Sequence, residues 1–412
     1  MMDEIYGIGC FISNLPGIGG KIKVTPEDFI VEEIPIQIRK EDGGKYLILK
    51  VRLREWDTNR FLITLARRLG ISRKRITYAG TKDKFAVTTQ YFCVNIQDNE
   101  EFVRIGDAEI LESFRTNRML RLGDLVGNTF FIRITTDDGT SVPEDRIMEI
   151  YGDVSGKGGF PNFFGPQRFG SIRANTHSVG KLLIAGDYEA AVRKYIYDPD
   201  FDAEEYRRNF GIHNDPRESL REFPSHLTYE RSLLGYIAEH GSTENALSSL
   251  PRNLSMMFVH AYQSYLFNRI LTARIQHSGN SSMPIPGDRI VPIDQYFNPT
   301  SDPVRVTRFN VDKISALVRE NKARPVIPLF GYRSEFSEDE AGEIEHRILD
   351  EERVSPADFY IKNYPELSSS GDFRITSFMP EKFSISGENL LNFSLGRGIY
   401  ATSLTRELLK KF

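Results

Sequence analysis

Two cysteines, Cys10 and Cys93, are all that 412 residues contain. Two thiols cannot build a zinc cluster between them, and a disulfide framework is excluded by count. A reducing, cytoplasmic compartment is the expected setting. The seven histidines are scattered and no His-Glu-x-x-His occurs, so no metal site is expected. No apolar run reaches the roughly 18 residues of a bilayer span, which argues against a membrane partner. The opening Met-Met-Asp-Glu-Ile-Tyr lacks the basic lead-in of a secretory signal. Net positive charge is missing too: the formal charge is −4. Gly17-Ile18-Gly19-Gly20-Lys21 resembles a phosphate loop but has Leu15 and Ile22 where a glycine and a Ser or Thr belong. It reads as a turn between strands.

What is present suits a folded chain of more than one ordinary core. Apolar residues make up 40% and charged residues 27%. Residues 21–53 read as strands, with Asp42-Gly43-Gly44 as a hairpin signal. Residues 58–69 read as a helix, started by Asp57 or Thr58 and ended by Gly70. A short strand through Tyr78, a turn at Ala79-Gly80 and a strand over 85–96 follow, then a strand pair over 118–134. Residues 156–170 read as a glycine-rich loop, and about 176–196 as a helix. The apolar helix from about 254 to 275 is expected at the centre of a separate helical region. Ser368-Ser369-Ser370-Gly371 reads as a linker, and the tail returns to strands with a short basic helix. The economical arrangement is an α+β domain with a mixed, mainly antiparallel sheet, interrupted by an inserted α/β domain. Residues 1–185 with 371–412 would form the first and 186–370 the second. No long exposed apolar pattern demands a partner subunit, so a monomer is expected.

Charge is distributed unevenly. Lys50, Arg52, Arg54, Arg60, Arg67, Arg68, Arg73, Lys74, Arg75, Lys82 and Lys84 face only Glu55, Asp57 and Asp83 in the same stretch. Arg115, Arg118, Arg121 and Arg133 follow. This is the footprint of a polyanion partner, or a solvated helix face. Asp83 stands between Lys82 and Lys84, as a catalytic carboxylate or as a surface ion pair. Phe160, Phe163, Phe164 and Phe169 crowd a loop that also holds Asn162, Gln167 and Arg168. They read either as core or as a stacking surface for bases.

Four segments in register carry a resemblance. They are Lys23-Val24-Thr25-Pro26-Glu27-Asp28-Phe29-Ile30-Val31-Glu32-Glu33, Ala79-Gly80-Thr81-Lys82-Asp83-Lys84-Phe85-Ala86-Val87-Thr88-Thr89-Gln90, Asn162-Phe163-Phe164-Gly165-Pro166-Gln167-Arg168-Phe169-Gly170, and Gly398-Ile399-Tyr400-Ala401-Thr402 with Arg406-Glu407-Leu408. Together they resemble the TruD family of tRNA pseudouridine synthases, in an archaeal-length form. Phe163 replaces a usual tyrosine, and Ile399 stands where a serine is common. The middle third matches loosely.

The resemblance implies an isomerase with a pseudouridine-synthase core and an inserted domain special to the family. It implies tRNA as partner, uridine 13 of the D arm as target, and no cofactor, because no redox change occurs. Asp83 would be the catalytic residue, acting at C1′ as nucleophile or at C2′ as base. Lys23 would be its partner, Lys82 or Lys84 would hold it or contact a phosphate, and Asn162 would meet the uracil edge or the sugar. Phe164 and Tyr400 would stack on a flipped-out base, while Gln167 and Arg168 would bind base or phosphate. Arg406 would pair with Asp83 or cap the last helix. The resemblance argues against a catalytically silent RNA-binding protein. A carboxylate-dependent glycosidase would need a second acid, for which Glu27 and Asp28 are the candidates.

Overall fold

A computed structural model describes residues 3–96, 105–136, 142–170, 172–243, 245–387 and 389–411. Alternation in the sequence becomes strand where it was expected. β1 (Phe29–Pro35) buries Phe29 and Val31. β2 (Tyr46–Arg54) buries Leu49, Val51 and Leu53 against Phe61, Leu62 and Leu65 of α1 (Thr58–Arg68). Asp57 caps that helix by accepting from the Arg60 N–H. Gly70 follows its end at φ 62°, the left-handed position that glycine takes without strain. β3 (Ile76–Tyr78), β4 (Val87–Val94), β5 (Ala108–Thr116) and β6 (Leu125–Arg133) follow.

Helices then dominate. α2 (Glu144–Gly156) leads to the short β7 (Phe160–Pro161), then α3 (Thr176–Ile184), α4 (Tyr188–Ile196), α5 (Glu205–His213), α6 (Pro216–Glu222) and α7 (Thr228–His240). The long α8 (Arg252–Ser278) comes next. β8 (Arg289–Pro292), β9 (Val304–Arg305), α9 (Val311–Arg319), β10 (Ala323–Leu329) and α10 (Asp339–Glu352) follow it. The tail supplies β11 (Asp372–Ile375), β12 (Ser377–Phe378), β13 (Glu381–Ser386), β14 (Leu390–Gly396) and α11 (Ala401–Leu409).

The main sheet has eight strands in the order β13-β14-β6-β1-β4-β2-β5, with β3 also on β4. Only β1 and β4 run parallel; the other pairs are antiparallel. The tail therefore completes the sheet begun by the first strands. A second sheet, β11-β10-β8-β9, joins the tail to the helical part, and β12 pairs with β7.

Five expectations need correction. Asp42-Gly43-Gly44 forms a tight turn, with the Gly44 N–H on Glu41 O at 3.0 Å. It does not make a hairpin, because β4 lies between β1 and β2 and β5 takes the outer edge of β2. Of 118–134 only β6 is strand, and Gly127 lies inside it, opposite Gly396. A Cβ there would meet Leu395 O at 2.1 Å, so this glycine permits close pairing and makes no turn. The helix expected over 176–196 breaks at Ala185-Gly186-Asp187, where Gly186 adopts φ 79° and Asp187 caps α4. The serine run before Gly371 is packed: Gln263 donates to Ser369 Oγ at 2.9 Å, and the Tyr332 N–H donates to Ser369 O at 2.8 Å. Finally, α8 is buried as its composition demands, but its core is not separate. One cluster runs from Phe29, Phe130 and Phe393 of the sheet through Phe164 to Tyr262 and Phe267 of α8.

Candidate active site

A parting of strands makes the site. β1 and β3 share one edge of β4, β1 along Val87–Thr89 and β3 along Phe92–Val94. Between them the Tyr91 N–H is taken by the side chain of Glu33, at 2.9 Å to Oε2. Glu33 Oε1 accepts from Lys82 Nζ at 2.7 Å, and both side chains are shut away from solvent. A buried ion pair of this geometry is costly to break. Gly80 stands over it: a Cβ there would lie 3.2 Å from Lys82 Nζ and 3.3 Å from Glu33 Oε1. The Lys82 N–H also reaches Thr58 Oγ1 at the start of α1, at 3.3 Å. The loop between β3 and β4 is thus fastened on both sides immediately before Asp83.

Asp83 is left at the open end of that loop, with 41% of its side chain exposed. Lys23 donates to its Oδ2. The Lys23 ammonium also sits 3.9 Å above the centre of the Phe29 ring, a cation–π contact that fixes it from beneath. The Lys23 backbone stands at φ 60°, which a side chain with a Cβ adopts only when its surroundings demand it. Asp28 secures the turn that leads there, accepting from the Thr25 N–H at 2.7 Å and from Thr25 Oγ1 at 3.0 Å.

A second group gathers around an arginine that sequence reasoning passed over. Arg374 in β11 donates through Nε and Nη2 to the backbone O and Oδ1 of Asn162, at 3.0 and 2.5 Å, and through Nη1 to Gly398 O at 2.8 Å. Its guanidinium lies 4.1 Å from the Phe164 ring centre and 5.5 Å from that of Tyr400. Arg168 sits 5.1 Å from the same Phe164 ring and donates to Ser264 Oγ. Nothing in Phe373-Arg374-Ile375 distinguishes this arginine from any other in a strand. Glu33 stood in a noted motif, but its role depends on a strand divergence that no local pattern encodes.

The named residues therefore fall into two groups, Lys23–Asp83 and Asn162–Phe164–Arg168–Tyr400. Several individual assignments change. Lys82 is held by Glu33 and not by Asp83. Asn162 is buried, and its amide is spent on Arg374 and on the Ile375 carbonyl, so its service is to position Arg374. Phe160, Phe163 and Phe169 are core, and Phe164 is only 2% exposed, edge-on to Phe267. Gln167 is exposed. Arg406 neither meets Asp83 nor caps a helix. It lies buried on α11 and binds Asp3, Glu407 and Cys10 O, holding the first residues of the chain. Glu27 is paired with Arg54, and Asp28 is spent on its own turn and on Arg133. Both acids are thus already engaged by other partners.

Among the described residues no helix is long and apolar enough to cross a membrane. The model of the family tRNA pseudouridine synthase D (TruD) matches residues 5–408. A Picrophilus torridus protein named "Probable tRNA pseudouridine synthase D" is 50% identical over 98% of this chain and 97% of its own length. An Archaeoglobus fulgidus protein of the same name is 41% identical over 99% of both chains. The crystal structure of a Methanosarcina mazei protein named "Putative tRNA pseudouridine synthase D (TruD)" superposes with a TM-score of 0.81 at 34% identity, covering 99% of this chain and 98% of that one. The chain belongs to the TruD family of tRNA pseudouridine synthases and is an isomerase.

Proposed function

We propose that the chain rearranges the uridine at position 13 of tRNA, in the D arm, with Asp83 as the carboxylate that acts at the sugar. The observation that supports this most directly is the Lys23–Asp83 pair, an accessible carboxylate held by an ammonium on a loop fastened through Lys82. In the reaction the N1–C1′ bond breaks and a C5–C1′ bond forms. The C5 proton is lost to solvent, and N1 gains one. No electron is lost or gained, so the reading calls for no cofactor. Asp83 acts by attack on C1′ or by removing the C2′ proton. Deuterium at C2′ separates these routes, since only the second breaks that bond.

The base leaves its stack at a cost of a few kcal/mol. In this reading Tyr400, which is partly open, meets the base, while Phe164 supports it from behind. The reading keeps 1–185 with 371–412 as the catalytic unit and 186–370 as the insertion, with tRNA across both and a monomer in the cytoplasm. The β10–β11 pairing ties the two units at their second junction. The test is Asp83→Asn, with pseudouridine mapped in tRNA by carbodiimide-blocked primer extension. The variant binds tRNA and makes no product. Equal modification by wild type and variant removes Asp83 from the chemistry. Modification of a uridine elsewhere removes position 13.

A further inference from the structure

Arg374 is charged, yet its three hydrogen-bond acceptors, Asn162 O, Asn162 Oδ1 and Gly398 O, are all neutral. A second guanidinium, that of Arg168, stands over the same Phe164 ring and bears on it. Arg168 in turn donates to the neutral Ser264 hydroxyl. Two like charges thus share the single ring of Phe164, at 4.1 and 5.1 Å from its centre. Such an arrangement is unfavourable in a protein interior until an anion joins it. Burial lowers the pKa of Arg374 to about 9, with Tyr400 acting against it and Arg168 in the same direction.

Arg324 provides a contrast within the same molecule. It also lacks a carboxylate and donates to Val318 O, Ala323 O and Asn321. It is 2% exposed and stands over Phe297 alone. That is an enclosed structural arginine. Arg374 differs in two respects: a second cation stands beside it, and it is only partly covered, with Nη1 bonded to the exposed Gly398. A guanidinium has five N–H groups, and three of those of Arg374 are used. One remains on each Nη, a fork that matches two oxygens of a phosphate. A uracil carbonyl would satisfy the hydrogen bonds but brings no charge; a phosphodiester satisfies them and sets one negative charge against the pair.

We propose that Arg374, with Arg168 beside it, grips a backbone phosphate of the RNA flanking the uridine that is rearranged. This rests on the function proposed above. The role of Asn162 follows from it: both of its oxygens aim the guanidinium, which makes it a positioning residue. Holding the backbone at the target nucleotide keeps the sugar still while its base is out of the stack.

The experiment pairs protein and RNA changes. Substrate RNAs are synthesised with one neutral methylphosphonate on the 5′ or the 3′ side of the target uridine. Release of tritium from C5 and RNA binding at several salt concentrations are measured for wild type, Arg374→Gln, Arg374→Lys, Arg168→Gln and, as a structural control, Arg324→Gln. Wild type loses about ten- to a hundredfold in kcat/KM on one of the two methylphosphonate RNAs, and Arg374→Gln loses no more on that RNA than on the normal one. Arg374→Gln lowers the slope of log affinity against log salt by about one; Arg374→Lys and Arg324→Gln keep it. Losses that multiply, or an unchanged salt slope in Arg374→Gln, overturn the assignment. Should Arg374→Gln fold poorly, Arg168→Gln carries the same two readouts. The binding arm is read even if wild type releases no tritium, so failure of the grip and failure of the reaction are told apart.

Discussion

Lys23 holds Asp83 from one side while the Phe29 ring holds Lys23 from below, 3.9 Å from its ammonium. The carboxylate is therefore held in one orientation, and the orienting group is a point charge on a backbone turn at φ 60°. Lys23→Gln removes the charge and keeps a donor. It is expected to lower kcat by roughly a hundredfold, the scale of losing one preorganised electrostatic contact, while KM for tRNA changes little. Single-turnover kinetics check this. A raised KM with kcat intact would make Lys23 a mere RNA contact.

The Glu33–Lys82 pair should dominate the stability of the loop that carries Asp83. Glu33→Gln strands the Lys82 ammonium inside the protein, and breaking such a pair costs about 3–5 kcal/mol. The double variant Glu33→Gln, Lys82→Met removes the stranded charge and is expected to be more stable than Glu33→Gln alone. Urea unfolding measures both. A single variant within 1 kcal/mol of wild type would show that the pair does not fasten the loop.

Two glycines should respond oppositely to alanine. Gly127→Ala forces a methyl group against Leu395 O, 2.1 Å away, and should cost about 1–3 kcal/mol by overpacking. Amide exchange over β14 should quicken with it. Gly152 lies inside α2 with open space around it, so Gly152→Ala should gain up to about 1 kcal/mol. Exchange rates in β14 equal to wild type in Gly127→Ala would mean that β6 and β14 yield without strain.

Acid stability should depend on His177. Its ring stacks on Tyr265 at 4.9 Å and meets Phe169 edge-on at 5.4 Å, and burial lowers its pKa from 6.5 to about 4. The folded form then binds the proton less tightly than the unfolded chain. Its contribution is complete above pH 6.5 and is lost as pH falls towards 4, by about 3 kcal/mol in all. His177→Gln has no such group. The difference in unfolding free energy between the two proteins should shrink by that amount between pH 7 and pH 4, and a difference independent of pH would contradict it.

Much of the fold is readable locally. The β1 and β2 alternations, the Asp57 cap, Gly70 and the strand character of the tail each follow from residues close in sequence. What escaped depends on distant partners. The Gly43 turn is real, but β4 and β5, encoded far downstream, claim the strands beside it. Gly127 resembles a turn glycine until Leu395 is laid against it. The site divides in the same way. Asp83 and Lys23 lie in recognisable motifs, and the ion pair between them was expected. Arg406 also lies in a motif, yet Asp3 and Cys10 O claim it. Arg374 has no motif, and its place is set by Asn162 and Gly398 on other segments. The four phenylalanines of the loop were left between core and surface, and burial places them in the core.

The closure of the sheet by β14 has a consequence for synthesis. Thr129 and Ser394 face each other across β6 and β14, yet stand 265 residues apart in sequence. On a ribosome adding about 5–20 residues each second, the edge of β6 waits on the order of tens of seconds for its neighbour. The loop bearing Asp83 emerges before β14, and the sheet that supports it is finished only when β14 follows. A nascent chain stalled between β6 and β14 would present an open strand edge beside the loop that carries Asp83. Pairing with another unfinished chain, or shelter by a chaperone, becomes the competing outcome during that interval.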